Sequence, residues 1–268
     1  FTSLFVADIE NYVMTICEDR NGNLWFGTWG YLARYDGNNI IKYSMEDGLP
    51  SDFIRVLYED KDGKLWIGTF NGLCYFDGKN FINFSKSEGI DNTYINAICE
   101  DRQGNIWIVT AKGICCGHNG IFKKYDKEDG LVDNRVMTVW PYENKLWIGT
   151  TNGVSVFDGH EFETIDLFTD IYVSSIYEDR QKRLWFATYN GVYCFDGNNF
   201  ISYNIDDGLL DNRVNNVFQD NENCLWFSHP FSGLSKFDPD TIEVLSKEPV
   251  TEVIYEDKKH RIWFGNEK

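Results

Sequence analysis

The sequence predicts an all-β fold, a seven-bladed β-propeller of four-stranded antiparallel blades. Three observations predict it. The triplet [LI]-W-[FI] recurs at Trp25, Trp66, Trp107, Trp147, Trp185, Trp226 and Trp263, at intervals of 37 to 41 residues over the whole chain. Each interval divides into four short apolar segments separated by Gly, Asp and Asn, the pattern of strands joined by tight turns. No stretch sustains helical periodicity. A four-stranded unit cannot bury both faces alone, so neighbours stack, and radial stacking leaves only short, protected edges.

In the second repeat the predicted strands are FIRVLYED from Phe53, KLWIGT from Lys64, GLCYFD from Gly72 and FINFS from Phe81. The first and second are joined by D-x-x-G, as at Asp60 to Gly63. Its spacing is faintly that of a calcium loop, but the bidentate Glu six residues after the Gly is missing, so an Asp side chain closing a turn is the reading adopted. The third and fourth are joined by Asp-Gly, as at Asp36-Gly37, Asp77-Gly78, Asp158-Gly159 and Asp196-Gly197, a hairpin-turn pair. The seventh copy stops at Ile262-Trp263-Phe264-Gly265, while Phe1-Thr2-Ser3-Leu4 aligns with outer strands such as Phe162-Glu163-Thr164-Ile165. The expectation is one domain over 1–268, its last blade incomplete and closed by the N-terminal strand, cut from a polypeptide continuing past Lys268.

The net charge of −17 and the lack of any Lys/Arg stripe exclude nucleic acid as a partner. No apolar stretch reaches the roughly 18 residues of a membrane-spanning helix. Seven cysteines are an odd number, none has CxxC spacing, and Cys115 and Cys116 are adjacent, so they read as small buried hydrophobes rather than metal ligands or bridges. No cofactor or metal is expected.

Written out as xxIxED-xxGxLWIGTxxGLxxFDGxxFxxY followed by DGL, the repeat resembles the two-component regulator propeller. ICEDRNGNLWFGTWG from Ile16 and LYEDKDGKLWIGTFNGLCYFDG from Leu57 carry the resemblance, as do the DGL elements at Asp47, Asp129 and Asp207. Departures are Pro141-Tyr142 in place of Glu-Asp, a fifth-blade link without DGL, and Ser228-His229-Pro230 in place of Gly-Thr. The resemblance implies a periplasmic or extracellular ligand-sensing domain of a bacterial signalling protein, often for saccharides and coupled through a membrane segment to a kinase; the unpaired cysteines leave a cytoplasmic chain open, and a dimer through the remainder of the polypeptide is a further expectation.

Positions that vary among the copies are free to serve a ligand, and propellers bind at the face carrying the loops from second to third strand and from blade to blade. The residues leading into the first strands are Tyr12, Phe53, Tyr94, Arg135, Tyr172, Arg213 and Val250. Two residues later stand Met14, Arg55, Asn96, Met137, Ser174, Asn215 and Glu252, and the loop after the Trp strand supplies Trp29, Phe70, Ala111, Thr151, Tyr189 and Phe231, with His229 just before. Flat aromatics mixed with Arg and His stack on sugar rings and bind hydroxyls or carboxylates. The candidate site is therefore Trp29, Phe70, Tyr94, Tyr172, Tyr189, His229 and Phe231 with Arg55, Arg135 and Arg213, taking an oligosaccharide or other small polar ligand. The competing reading of its aromatics is blade packing. The competing functions are a scaffold docking a protein partner and, below it, a hydrolase built on the three arginines or a lyase built on His229.

Overall fold

In each repeat the four predicted segments form one antiparallel sheet in chain order; the sheets span residues 13–43, 54–83, 95–125, 136–164, 173–203 and 216–246. The computed structural model describes residues 9, 12–84, 88–90, 94–118, 120–230, 232–238, 241–246, 254–258 and 262–264. In the second repeat the strands are Ile54–Glu59, Leu65–Thr69, Gly72–Phe76 and Phe81–Asn83, matching the predicted segments. First strands pack on first strands from one sheet to the next, beginning at Val13–Glu18 and continuing to Ile254–Glu256, so the sheets are blades around an axis. None of the described helices is long and apolar enough to cross a membrane.

Among the described residues there are six four-stranded blades rather than seven. The seventh copy of the motif carries only its first two segments and forms a two-stranded sheet, Ile254–Glu256 with Ile262–Phe264. Residues 1–4, expected to close that blade, and the side chain of Trp263 lie outside the described residues. The two-stranded sheet packs on blade one: the Lys258 backbone N–H donates to Glu18 at 2.7 Å and its Nζ to the Asp19 carbonyl at 2.8 Å. The same link joins consecutive blades. Arg20 donates to Glu59 and to the Asp60 carbonyl, the Lys61 N–H donates to Glu100, and Arg180 donates to the Asp220 carbonyl.

The Asp of D-x-x-G closes its turn, as the sequence predicts, and does more. Asp60 Oδ1 accepts the backbone N–H groups of Asp62 and Lys64, while Oδ2 accepts the Trp66 indole N–H. The Asp–indole bond recurs from Asp19, Asp60, Asp101, Asp179 and Asp220 to the Trp six residues on, at 2.7 to 2.9 Å. It satisfies the one polar group of a buried tryptophan. In blade four the turn is shorter, Pro141 pairs with Leu146 where Glu59 pairs with Leu65, and Tyr142 takes the Asp position. The buried Trp147 Nε1 there has no partner, and the Tyr142 hydroxyl instead donates to the Lys182 carbonyl of blade five.

Packing between first and second strands is complementary. Opposite Gly27, Gly68 and Gly149 stand β-branched Thr15, Val56 and Thr138; blade three reverses the sizes, with Val109 opposite Ala97. A Cβ on Gly68 would lie 2.5 Å from Val56 Cγ1 and 2.6 Å from Ile95 Cγ2 of the next blade, so the glycine of W-[FI]-G-T sets how closely neighbouring blades approach. The DGL links are single 3₁₀ turns whose Asp completes a capping box, with Leu49, Leu131 and Leu209 buried beneath. The link into blade five has no side-chain cap, and Phe168, fully buried, occupies the leucine's place.

Candidate functional site at the channel mouth

Each of the first five blades brings two of the variable positions together by a backbone bond. The N–H of the residue after the second strand donates to the carbonyl of the residue leading into the first. The pairs are Trp29 to Tyr12, Phe70 to Phe53, Ala111 to Tyr94, Thr151 to Arg135 and Tyr189 to Tyr172, at 3.0 to 3.2 Å. Side chains expected from separate loops are therefore held as neighbours at one end of the barrel of first strands. Tyr172 and Tyr189 stack at 4.3 Å between centroids, and Tyr12 and Trp29 lie 5.2 Å apart. The contacts also cross blades: Phe70 meets Tyr94 edge-on at 4.2 Å, and the Arg213 guanidinium sits 6.0 Å from the Tyr189 ring centre.

A β-bulge in the first strand re-aims a second set. Register skips Met14, Arg55, Asn96, Met137 and Ser174, the positions two residues past the lead-in. Several of these reach the next blade. Arg55 Nε donates to Asn96 Oδ1 and its Nη1 to the Tyr94 hydroxyl; Asn96 Nδ2 donates to the Val136 carbonyl; Ser174 donates to the Val214 carbonyl. Arg55, half-buried and also over the Tyr94 ring at 4.8 Å, thus links blades two and three at the mouth.

Blade six breaks the pattern and repairs it. Pro230 stands where the other blades carry Trp29, Phe70, Ala111, Thr151 or Tyr189, and proline has no N–H for the Arg213 carbonyl. His229, in the place of Thr28 or Thr69, supplies the donor: its Nδ1 lies 3.0 Å from that carbonyl, which fixes the hydrogen on Nδ1. Its Nε2 then accepts from Ser235 Oγ at 2.8 Å, and Ser235 in turn accepts the Leu210 N–H. His229 is 0% exposed, and burial pulls its pKa below the ordinary value.

Access divides the candidates. Trp29 is 50% exposed and Tyr189 43%, joined by Phe53 at 46%; Arg135 and Arg213 are exposed, whereas Phe70, Tyr94 and Tyr172 are half-buried. Phe231 lies outside the described residues, as do Val250 and Glu252. Arg135 is tethered, its guanidinium 3.3 Å from Asp133 Oδ2 and its N–H on Oδ1. Burial raises the Asp133 carboxyl, but these bonds and the Thr151 hydroxyl outweigh it and hold it below its ordinary range. Among the described residues no cluster of His, Cys, Asp and Glu could hold a metal ion. Phe53 was seen in the sequence only as a position in the series; its exposure became visible once the loops were in place. The Asp–Trp bond was detectable as a constant spacing of six.

Residues 8–30, 48–71, 89–112 and 167–190 match the two-component regulator propeller family. Among solved structures, the chain is similar to the extracellular domain assigned to the hybrid two-component system BT3049 from B. thetaiotaomicron, with TM-score 0.82 and 24% identity over 96% of this chain and 39% of that one. It therefore spans about two fifths of that structure's length. Virginiamycin B lyase from Staphylococcus aureus, in a catalytically inactive histidine-to-alanine form with quinupristin, gives TM-score 0.75 at 15% identity over 98% and 94% of the two chains. PorZ of the type-IX secretion system of Porphyromonas gingivalis gives 0.66 at 14% over 83% and 38%. At these identities the likeness is one of fold. Among curated proteins none matches the sequence.

Proposed function

We propose, from the match of four stretches of this chain to the two-component regulator propeller family, that it is a non-catalytic sensor propeller binding a saccharide or other small polar ligand at the channel mouth. The observation that carries this reading is the rim itself. Exposed Trp29 and the Tyr172–Tyr189 stack offer flat faces, and Arg213 beside Tyr189 offers a planar donor for hydroxyl or carboxylate groups. The periplasm or cell exterior is the compartment this reading favours, supported by the likeness to an extracellular domain. The free thiols do not oppose it. All seven are buried or half-buried, and burial pushes the Cys17 thiol up to about 11 and Cys116 up to about 12, so few ionise to the reactive thiolate.

A lyase reading needs an available imidazole, and His229 has none of its surface exposed and both nitrogens engaged. Thermal unfolding against a panel of oligosaccharides, uronic acids and amino acids tests the proposal. A ligand at 100 times its Kd adds about 2.7 kcal/mol to the stability of the folded state. Trp29→Ala with Tyr189→Ala should weaken a binding compound about tenfold or more. A panel without any shift, or a shift indifferent to both substitutions, would remove the ligand site from this face.

A further inference from the structure

The link that enters blade six is fastened by a titratable relay, which no other described blade has. The Leu210 N–H donates to Ser235 Oγ at 3.0 Å, and the Ser235 hydroxyl donates in turn to His229 Nε2 at 2.8 Å. The other ring nitrogen, Nδ1, holds the Arg213 carbonyl. One imidazole therefore ties down both ends of residues 210–213. The link supports its neighbours as well: the Asn212 carbonyl accepts the Gly191 N–H of the Tyr189 loop at 2.7 Å, and Asp211 accepts the Arg213 N–H and the Ser232 hydroxyl. Blade four has the same link without a titratable group. Its Val132 N–H donates to Ser155 Oγ at 3.0 Å and its Arg135 N–H to Asp133. The Arg135 carbonyl, however, takes the backbone N–H of Thr151, and Thr150 stands in the place of His229.

Counting protons shows why acid disturbs the relay. The Arg213 carbonyl fixes a hydrogen on Nδ1, so Nε2 is an acceptor and the Ser235 hydroxyl its donor. A proton arriving at Nε2 makes two donors face each other. The serine hydrogen must then turn away, and Ser235 is 0% exposed, so no water meets it. The imidazolium is buried as well, and burial outweighs what the Arg213 carbonyl and the Asp211 carboxylate return to it. Asp211 and Arg213, the charges beside the ring, both belong to the link. The second strand of blade five and the first strand of blade six contribute no titratable side chain. The third strand of blade six carries Lys236 and Asp238 only level with Trp226 and beyond, and Tyr255 and Glu256 of the two-stranded sheet stand at the Glu18 end. Relief for the charged ring therefore comes from water admitted by movement of the link.

We propose that His229 and Ser235 form an acid-operated latch: protonation of the ring lifts residues 210–213 off blade six and takes Arg213 and the Tyr189 loop out of their places at the channel mouth. If that mouth is the ligand site, acid also weakens binding there; the latch does not depend on that reading, and its test needs no ligand. Amide hydrogen exchange of the full chain from pH 7 to pH 5, corrected for the intrinsic pH dependence of exchange, compares Leu210, Arg213 and Gly191 with Val132, Arg135 and Thr151. Blade four is the internal control, because its link has the same serine and aspartate bonds but no histidine. Protection of the first set should fall about tenfold over this range while that of the second holds. His229→Thr with Pro230→Thr gives blade six the Thr150–Thr151 arrangement and returns a backbone N–H to the Arg213 carbonyl, so protection at pH 7 should persist and its fall in acid should vanish. Should that variant not fold, the imidazole NMR titration of His229 in the unsubstituted chain gives the second reading, and its midpoint should lie below that of an exposed histidine. A fall shared equally by both sets, no fall in the first set, a fall that persists in the double variant, or an ordinary His229 midpoint would each overturn the proposal.

Discussion

Single residues in this propeller are held by bonds whose loss leaves a buried polar atom behind, and the penalty for an orphaned group exceeds the gain from making the bond. His229 is the clearest case with a titratable group. Above its ordinary pKa of 6.5 the imidazole is neutral in folded and unfolded chains alike; below it the unfolded chain takes up a proton that the buried ring resists. Stability therefore falls as pH drops through 6.5 toward the lowered folded value. His229→Asn retains a donor for the Arg213 carbonyl and cannot titrate, so the fall in unfolding free energy between pH 7 and 5, measured in urea, should be shallower in the variant. Equal slopes would show that His229 does not carry this dependence. Asp19 runs in the acid range in the same direction: burial raises its carboxyl, bonds from Asn23 and Trp25 outweigh that, and its contribution is lost as pH falls below the ordinary 3.8 through the lowered value.

Between elements, the first and second strands share a fixed volume that blades divide differently. Gly68→Val overfills blade two and should cost about 1–3 kcal/mol. Adding Val56→Ala gives the Ala97/Val109 sizes of blade three and removes one of the two close contacts, the other being with Ile95, so it should recover part of the loss, read as coupling in a double-mutant cycle. Additive losses would mean that the size exchange is incidental. The strands themselves were legible because each is short, aromatic-rich and bounded by Gly or Asp, and every predicted segment of the second repeat lies where it was expected. The candidate site was legible only as a series of positions. Arg213 stands at the lead-in position and Arg55 two residues past it, but the spacing does not reveal that the later position is a bulge, where Arg55 reaches Asn96 and Tyr94 of the next blade while Arg213 stays exposed.

For the whole molecule, counting the [LI]-W-[FI] motif gives seven repeats, yet the motif counts second strands rather than complete blades, and among the described residues six sheets have four strands. What continues past the sixth is the blade-to-blade link: Lys258 engages Glu18 and the Asp19 carbonyl across 239 residues of chain, as Arg20 engages Glu59 and the Asp60 carbonyl. Lys258→Glu places a carboxylate against Glu18 and should lower stability by up to about 1 kcal/mol, a shift of roughly 2–4 °C in the melting temperature. Hydrogen exchange over Leu24–Thr28 should quicken with it. Lys182→Glu, which breaks an exposed ion pair within one blade turn, is the control. If both variants behave alike, the Lys258 link does not hold the two-stranded sheet to blade one.

The His229–Pro230 pair also constrains the route by which blade six came to differ from its neighbours. Proline arriving first, beside a threonine, would have left the Arg213 carbonyl without its donor. Histidine arriving first would only have added a second donor to an oxygen that can accept two. The less costly history therefore runs through histidine, and a blade recombined at this loop that inherits the proline must inherit the histidine with it.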